Sequence, residues 1–208
     1  EPLLVAAAAR GLDVVGDIEL FAREVTGRVV GITGTNGKST VTTLVGEIAE
    51  AAGVDVRVGG NIGRPALDLL AGEPAGLYVL ELSSFQLETT RSLELAAATV
   101  LNLTEDHMDR YADMAEYAGA KARIFDRCAL AVVNLDDDWV RRMPRPGQAT
   151  AGFSLQREDA DYALADLGGA RWLVARGEPL LPLRDLRLAG LHNAANALAA
   201  VALADAVG

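Results

Sequence analysis

The chain has 208 residues, half of them hydrophobic, and a formal net charge of −10. Such a length builds one large domain or two small ones with ample core, and the acidity excludes a nucleic-acid or anionic-membrane surface, so phosphate binding would need local geometry. With one cysteine, Cys128, no internal disulfide can form, which suits a reducing compartment.

The start, EPLLVAAAAR, lacks a basic region and an initiator methionine, so it reads as neither a signal peptide nor a natural start. It suggests a chain beginning inside a longer protein. No apolar run reaches ~18 residues, so no membrane span is expected. Residues 2–27 read as a helix, an apolar stretch and a second amphipathic piece, GDIELFAREV.

A strand–helix alternation then begins: RVVGIT, STVTTLVGEIAEAAG; VDVRVGG, RPALDLLAG; LYVLEL, SFQLETTRSL; AATVLNL, ADMAEYAGAKARIFDRC; LAVVNL, DDDWVRRM. It predicts an α/β fold: a mostly parallel sheet of the P-loop type with helices on both faces. PRPG at 144–147 marks a junction. From about 149 to 188, TAGFSL, RWLVAR and PLLPL predict a small antiparallel β addition. The end, HNAANALAAVALADAVG, predicts an alanine-rich helix.

Residues 31–40, GITGTNGKST, raise the main chemical question. The pattern G-x-x-x-x-G-K-[ST] would place glycine at position 32, which is Ile32. The setting is nevertheless right, because the loop leaves an apolar strand and enters a helix N-terminus, where backbone N–H groups and the helix dipole favour anions. Gly34 and Gly37 can adopt angles that a β-carbon forbids, Lys38 can reach phosphates, and Ser39 can offer a hydroxyl to Mg²⁺. The competing reading is a plain strand–helix turn.

Glu81 ends the strand LYVLE, where ligands gather in open parallel sheets. It could hold Mg²⁺ or be an ordinary strand-end acid. His107 follows the strand AATVLNL among Glu105, Asp106 and Asp109. Spacing alone reads it equally as a metal ligand or a loop histidine. Lys121 reads as one more helical lysine, and Asn193 and Asn196 as cap and surface polarity, three apart on one face.

In order, GTNGKST, VGGNIG, LELSSFQLETT, LNLTEDHMDRY, AKARIF and GLHNAANALAA run over nearly the whole chain. Together they resemble the Mur ligase family, the ATP-dependent amide-bond ligases of cytoplasmic peptidoglycan precursor synthesis. The family's loop, G-[TS]-x-G-K-[ST], is matched by Gly34, Thr35, Asn36, Gly37, Lys38 and Ser39, with Thr40 following. Ser39 after the lysine and the SSFQLE stretch resemble the member that adds D-glutamate to UDP-N-acetylmuramoyl-L-alanine. The related folylpolyglutamate synthases usually insert a further glycine.

The resemblance implies catalytic roles for Lys38, Glu81, His107 and Lys121. It implies Mg²⁺ ligation by Ser39, Glu81, His107 and a carbamylated Lys121. Asn61 and Ser83 would touch substrate or phosphate, and Asn193 and Asn196 would lie near adenine. It divides the chain into the tail of a UDP-binding domain and linker (1–27) and a central ATP-binding domain (28–208), a third domain being absent. It implies a monomer, with most substrate contacts outside this chain, and an inactive isolated fragment. Against it stand a P-loop ATPase or kinase without ligation and a nucleotide-binding module without turnover.

Overall fold

The computed structural model describes residues 2–208. Two helices, α1 (Pro2–Ala9) and α2 (Asp17–Glu24), precede β1 (Arg28–Thr33), α3 (Lys38–Ala51), β2 (Val56–Gly60) and β3 (Leu77–Glu81). Next come α4 (Ser84–Glu88), β4 (Leu95–Val100), α5 (Met114–Ala122) and β5 (Cys128–Asn134). The chain closes with β6 (Ala149–Ser154), β7 (Tyr162–Leu167), β8 (Ala170–Ala175), β9 (Glu178–Pro182) and α6 (Leu191–Asp205).

All nine strands form one sheet in the order β2-β3-β1-β4-β5-β6-β7-β8-β9. The five apolar runs of 28–143 are β1 to β5, paired in parallel. β1 is buried along all but its first residue, which is why RVVGIT is a continuous apolar run rather than an alternation. Ile32 is wholly buried in this strand, so its place is in the sheet and not in the loop.

The antiparallel addition is narrower than the sequence suggests. TAGFSL is β6, and it pairs in parallel with β5 and with the start of β7. Only β7–β8 and β8–β9 are antiparallel. The long return through 135–148 lets β6 run the same way as β5, whereas the tight Gly168–Gly169 turn forces reversal, both glycines having positive φ. Several expected helices are single turns: 66–70, 123–125 and 140–142 are 3₁₀ segments, and α4 has five residues.

Helices α3 and α6 cover one face, packing Val41, Val45, Leu198 and Leu203 against Val30, Ile32, Val79 and Ala97. The other face is covered by α2, the 66–70 turn and the 123–125 turn, with Ile18, Phe21, Leu69 and Phe125 against Tyr78, Leu80, Ala98 and Val100. Helix α2 is therefore part of this packed body. Phe21 meets Tyr78 edge to face at 5.5 Å. Burial alone would raise the Glu19 carboxyl, but hydrogen bonds from the Arg91 and Ser92 N–H groups, the Ser92 hydroxyl and Arg23 outweigh it and hold it down at about 2. The packed unit begins before position 28, because α2 buries its apolar face on the sheet.

Candidate active site

The strand order reverses its direction of growth at β1: β3 and β2 lie on one side, β4 and β5 on the other. Ligands of open α/β sheets bind outside the carboxyl ends of strands at such a point. The segment Gly34–Gly37 emerges there. Gly37 is the left-handed N-cap of α3, with φ 85°, and a β-carbon on it would come within 2.5 Å of Asn196 Oδ1. Gly34 has φ 148°, and a β-carbon would press to 3.1 Å on the Leu101 backbone nitrogen. Both positions therefore require glycine for conformation and space.

The loop is tied to the segment leaving β4. The Thr35 N–H donates to Asn102 O at 3.0 Å, and the Asn36 N–H donates to Asn102 Oδ1 at 2.9 Å. Asn102 Nδ2 donates back to Asn36 O at 3.0 Å. The Thr35 hydroxyl donates to Thr104 O and accepts from the Thr104 N–H.

Two lysines converge on one loop carbonyl. Lys38 Nζ donates to Gly34 O at 3.0 Å and to Thr35 O at 2.9 Å. Lys121 Nζ donates to the same Gly34 O at 3.0 Å. Its remaining neighbours are the Thr33 hydroxyl at 3.4 Å and the ring of Tyr117, whose centroid lies 4.8 Å away. Lys121 is almost wholly buried. Burial first, and the Lys38 charge second, push its amine down to about 7, while Asp106 pulls weakly the other way.

This shift carries a stability prediction. Between about 7 and the ordinary lysine range, the unfolded chain binds the proton that the folded chain releases. The folded state is thus penalised fully below about 7, and the penalty fades as pH rises toward the unfolded pKa. In carbonate-free buffer Lys121→Met is expected to raise the melting temperature most at pH 6–7 and progressively less toward pH 10. A pH-independent difference would remove the buried ammonium as its cause.

Glu81, at the tip of β3, is also buried. Its carboxylate accepts from the Ser39 hydroxyl at 2.8 Å and from Asn61 Nδ2 at 2.9 Å. The Asn61 N–H donates to the Glu81 carbonyl at 2.8 Å, so the β2 exit is pinned to the same residue. Ser83 has a local task. It caps α4, its hydroxyl accepting from the Gln86 N–H at 3.2 Å while Gln86 Oε1 accepts from the Ser83 N–H at 3.1 Å.

His107 stands slightly apart. Its imidazole meets Asp106 Oδ2 at 3.5 Å and packs 5.0 Å from Phe85 and 6.3 Å from Tyr117, centroid to centroid. It hydrogen-bonds to neither Ser39 nor Glu81. It does hold φ 56°, an uncommon angle for a side chain with a β-carbon, and such outliers collect at functional positions. Among the described residues no three His, Cys, Asp or Glu side chains gather in a metal-sized group. Ser39 and Glu81 nevertheless supply two hard oxygen donors at 2.8 Å from each other, which fits Mg²⁺.

A cavity of about 480 Å³ opens on the other side of the loop, lined by Asn36, Gly37, Asn102, Phe153, His192 and Asn196. Asn196 Nδ2 donates to Asn193 Oδ1 at 3.1 Å, and Asn193 Nδ2 donates to Ala189 O. Of the two asparagines, Asn196 thus lines the cavity and Asn193 orients it. Thr40 lies in the first turn of α3, beyond Lys38 and Ser39.

The Mur ligase middle domain model matches residues 32–204. The chain belongs to the Mur ligase family. A Methylobacillus flagellatus protein named UDP-N-acetylmuramoylalanine--D-glutamate ligase is 56% identical over 207 residues, 98% of this chain and 46% of that protein. A Sodalis glossinidius protein of the same name is 56% identical over 208 residues, 100% of this chain and 47% of that protein. The chain thus spans about half the length of these curated relatives. Among solved structures, a UDP-N-acetylmuramoyl-L-alanyl-D-glutamate--2,6-diaminopimelate ligase matches with TM-score 0.72 and 28% identity, over 87% of this chain and 44% of that one. A Neisseria ligase joining UDP-N-acetylmuramate to a tripeptide matches with TM-score 0.72 and 20% identity, over 99% of this chain and 70% of that one, and shares the fold.

Within this Mur ligase domain, sequence reading overlooked three residues that organise the site. Asn102 clamps the loop, Tyr117 floors the Lys121 amine, and Thr33 offers it a hydroxyl. Only the strand order puts Asn102 beside Asn36, whereas Tyr117 and Lys121 lie four apart on α5, a neighbour spacing that the sequence itself carries. Asn102 had one legible signal: it lies just past a strand's carboxyl end, as Glu81 lies at one.

Proposed function

We propose that this chain is the ATP-binding and phosphoryl-transferring part of a ligase that joins D-glutamate to UDP-N-acetylmuramoyl-L-alanine in the cytoplasm, for peptidoglycan synthesis. The observation that carries the reading is the convergence of Lys38 and Lys121 on the Gly34 carbonyl, one strand away from the Ser39–Glu81 pair. Two amines so close, one of them buried, make a site that gains from an anion. The names and 56% identity of the curated relatives support the D-glutamate assignment.

The reaction class is transfer of a phosphoryl group to a carboxylate, followed by displacement of phosphate by an amine. Two anions meet in the first step. The N–H groups at the start of α3 and the Lys38 ammonium offset that repulsion and stabilise the charge on the group in transfer. Mg²⁺, held by Ser39 and Glu81 with His107 at the rim, would add Lewis-acid stabilisation when bound. Lys121 fits carbamylation: an amine whose pKa is pushed down to about 7 is substantially neutral at physiological pH, and therefore nucleophilic toward CO₂. The resulting carbamate would give that position a negative charge and oxygen donors available to a metal held by Ser39 and Glu81.

Asn61, anchored on Glu81, and Ser83, two residues further on, face the substrate side in this reading. The cavity lined by Asn196, oriented by Asn193, receives the base. We assign residues 1–27 to the end of a UDP-binding domain and its linker, and 28–208 to the ATP-binding domain, with α2 docked on the latter.

The decisive assay uses a complete ligase containing this chain. Release of ADP and phosphate is expected only when both UDP-N-acetylmuramoyl-L-alanine and D-glutamate are present. Equal release with either omitted would point instead to a P-loop ATPase, and amide formation with L-glutamate alone would displace the D-glutamate assignment.

A further inference from the structure

The run NLDDD at 134–138 closes β5, and of its residues Asn134 alone borders the cavity beside the loop. Two of its side chains, Asn134 and Asp137, point at the backbone that carries Asn102. Asn134 Nδ2 donates to Leu101 O at 2.8 Å, and Asp137 Oδ2 accepts from the Leu103 N–H at 2.8 Å. The peptide groups on both sides of Asn102 are thus held from the neighbouring strand's exit. Asp137 is itself fixed, because its Oδ1 accepts from the Trp139 and Val140 N–H groups at 2.9 and 3.1 Å. Asn134 Oδ1 likewise accepts from the Asp136 N–H at 2.9 Å. Asp136 in turn accepts from the Ser154 hydroxyl and the Leu155 N–H, which roots the corner on β6.

We propose that Asp137, with Asn134, is a positioning residue for the nucleotide loop: the pair fixes Leu101 and Leu103, so that the Asn102 amide can clamp both the N–H and the carbonyl of Asn36. This rests on the nucleotide-binding reading of the loop. The physical need is plain. The loop turns through two glycines with positive φ and makes no regular ladder, so its shape must come from outside. Asn102 supplies two of those outside bonds, and a side-chain clamp is only as stiff as its own backbone. A shift of the β4 exit would carry the clamp, and with it the amides that meet phosphate.

Asp137→Asn isolates the contact. The amide keeps an oxygen for Trp139 and Val140, while an NH₂ replaces Oδ2 and faces the Leu103 N–H, donor against donor. Loss of a carboxylate near the loop would by itself favour an anion, so weaker ATP binding cannot be a charge effect. The experiment is titration calorimetry of ATP into this chain, as wild type, Asp137→Asn, Asn102→Ala and the double variant. Each single change is expected to weaken binding about tenfold, and the double change scarcely more than either, because both cut one path.

Asp161→Asn disturbs a comparable bond, to the Gly152 N–H, on a different part of the sheet and is expected to leave the dissociation constant unchanged. A Kd for Asp137→Asn within about twofold of wild type, or losses that multiply in the double variant, would overturn the role. Failure of the wild type to bind ATP would instead overturn the nucleotide reading beneath it. If Asp137→Asn does not fold, the same cycle is run with Asp137→Ser, whose hydroxyl can still cap the Trp139 and Val140 N–H groups but leaves the Leu103 N–H without its acceptor.

Discussion

Lys38→Ala is expected to lower ATP turnover by a complete ligase about a thousandfold or more. The lysine stands at the first position of α3, immediately after the left-handed Gly37, and its ammonium lies over the Gly34 and Thr35 carbonyls. A phosphate in the loop would meet that charge directly. Removing one preorganised donor from the charge that develops in a transition state commonly costs 10²–10³ in rate, and Lys38 brings a full charge as well as a hydrogen bond. The helix dipole and loop amides remain in the variant, so nucleotide affinity is expected to fall less than turnover does. Lys38→Arg is not a conservative rescue, because the planar fork cannot reproduce the compact ammonium. Steady-state release of phosphate reads the effect. Turnover within about tenfold of wild type would remove Lys38 from the reaction.

Lys121→Ala is expected to abolish ligation and to regain part of it with millimolar formate or acetate. The truncation opens space beside Thr33 and Tyr117, next to the Gly34 carbonyl. If the working form is a carbamate, a small carboxylate placed there restores the anion that faces the metal. If the working form is the ammonium, carboxylates are useless and small primary amines should restore activity instead. The two rescues therefore distinguish opposite charges at one position. An alanine variant active without additives would sink both.

Much of the α/β half was legible in the sequence because buried parallel strands write themselves as unbroken apolar runs. RVVGIT, LYVLE and AATV are examples, each paired in parallel as expected. The orientation of TAGFSL was not legible, since a strand's own residues do not encode which way its neighbour runs; the length of the 135–148 return decided it. The short helices were overread because RPALDLLAG and DDDWVRRM carry apolar residues at helical spacing but too few of them to sustain more than a 3₁₀ turn.

At the site, residues announced by motif spelling were found together: Gly34, Gly37, Lys38, Ser39 and Glu81. Lys121 was chemically invisible until its burial was known, and a helical pattern cannot report which face meets a glycine carbonyl. His107 packs against Phe85 and Tyr117 and makes no hydrogen bond to the Ser39–Glu81 pair. Ser83, read for substrate contact, also caps α4 with its hydroxyl, a local task that the SSFQ spelling carries.

The hold that Lys38 keeps on Gly34 and Thr35 bears on how long a nucleotide stays. When phosphate leaves, the ammonium is not stranded in a desolvated crevice; two carbonyls of its own chain stand at 3.0 and 2.9 Å to receive it. On the proposed reading of the loop, departure is an exchange of partners rather than a rupture, since the carbonyls take up the ammonium that the phosphate gives up. On that reading the loop carries its own competitor for Lys38, the Gly34 and Thr35 carbonyls.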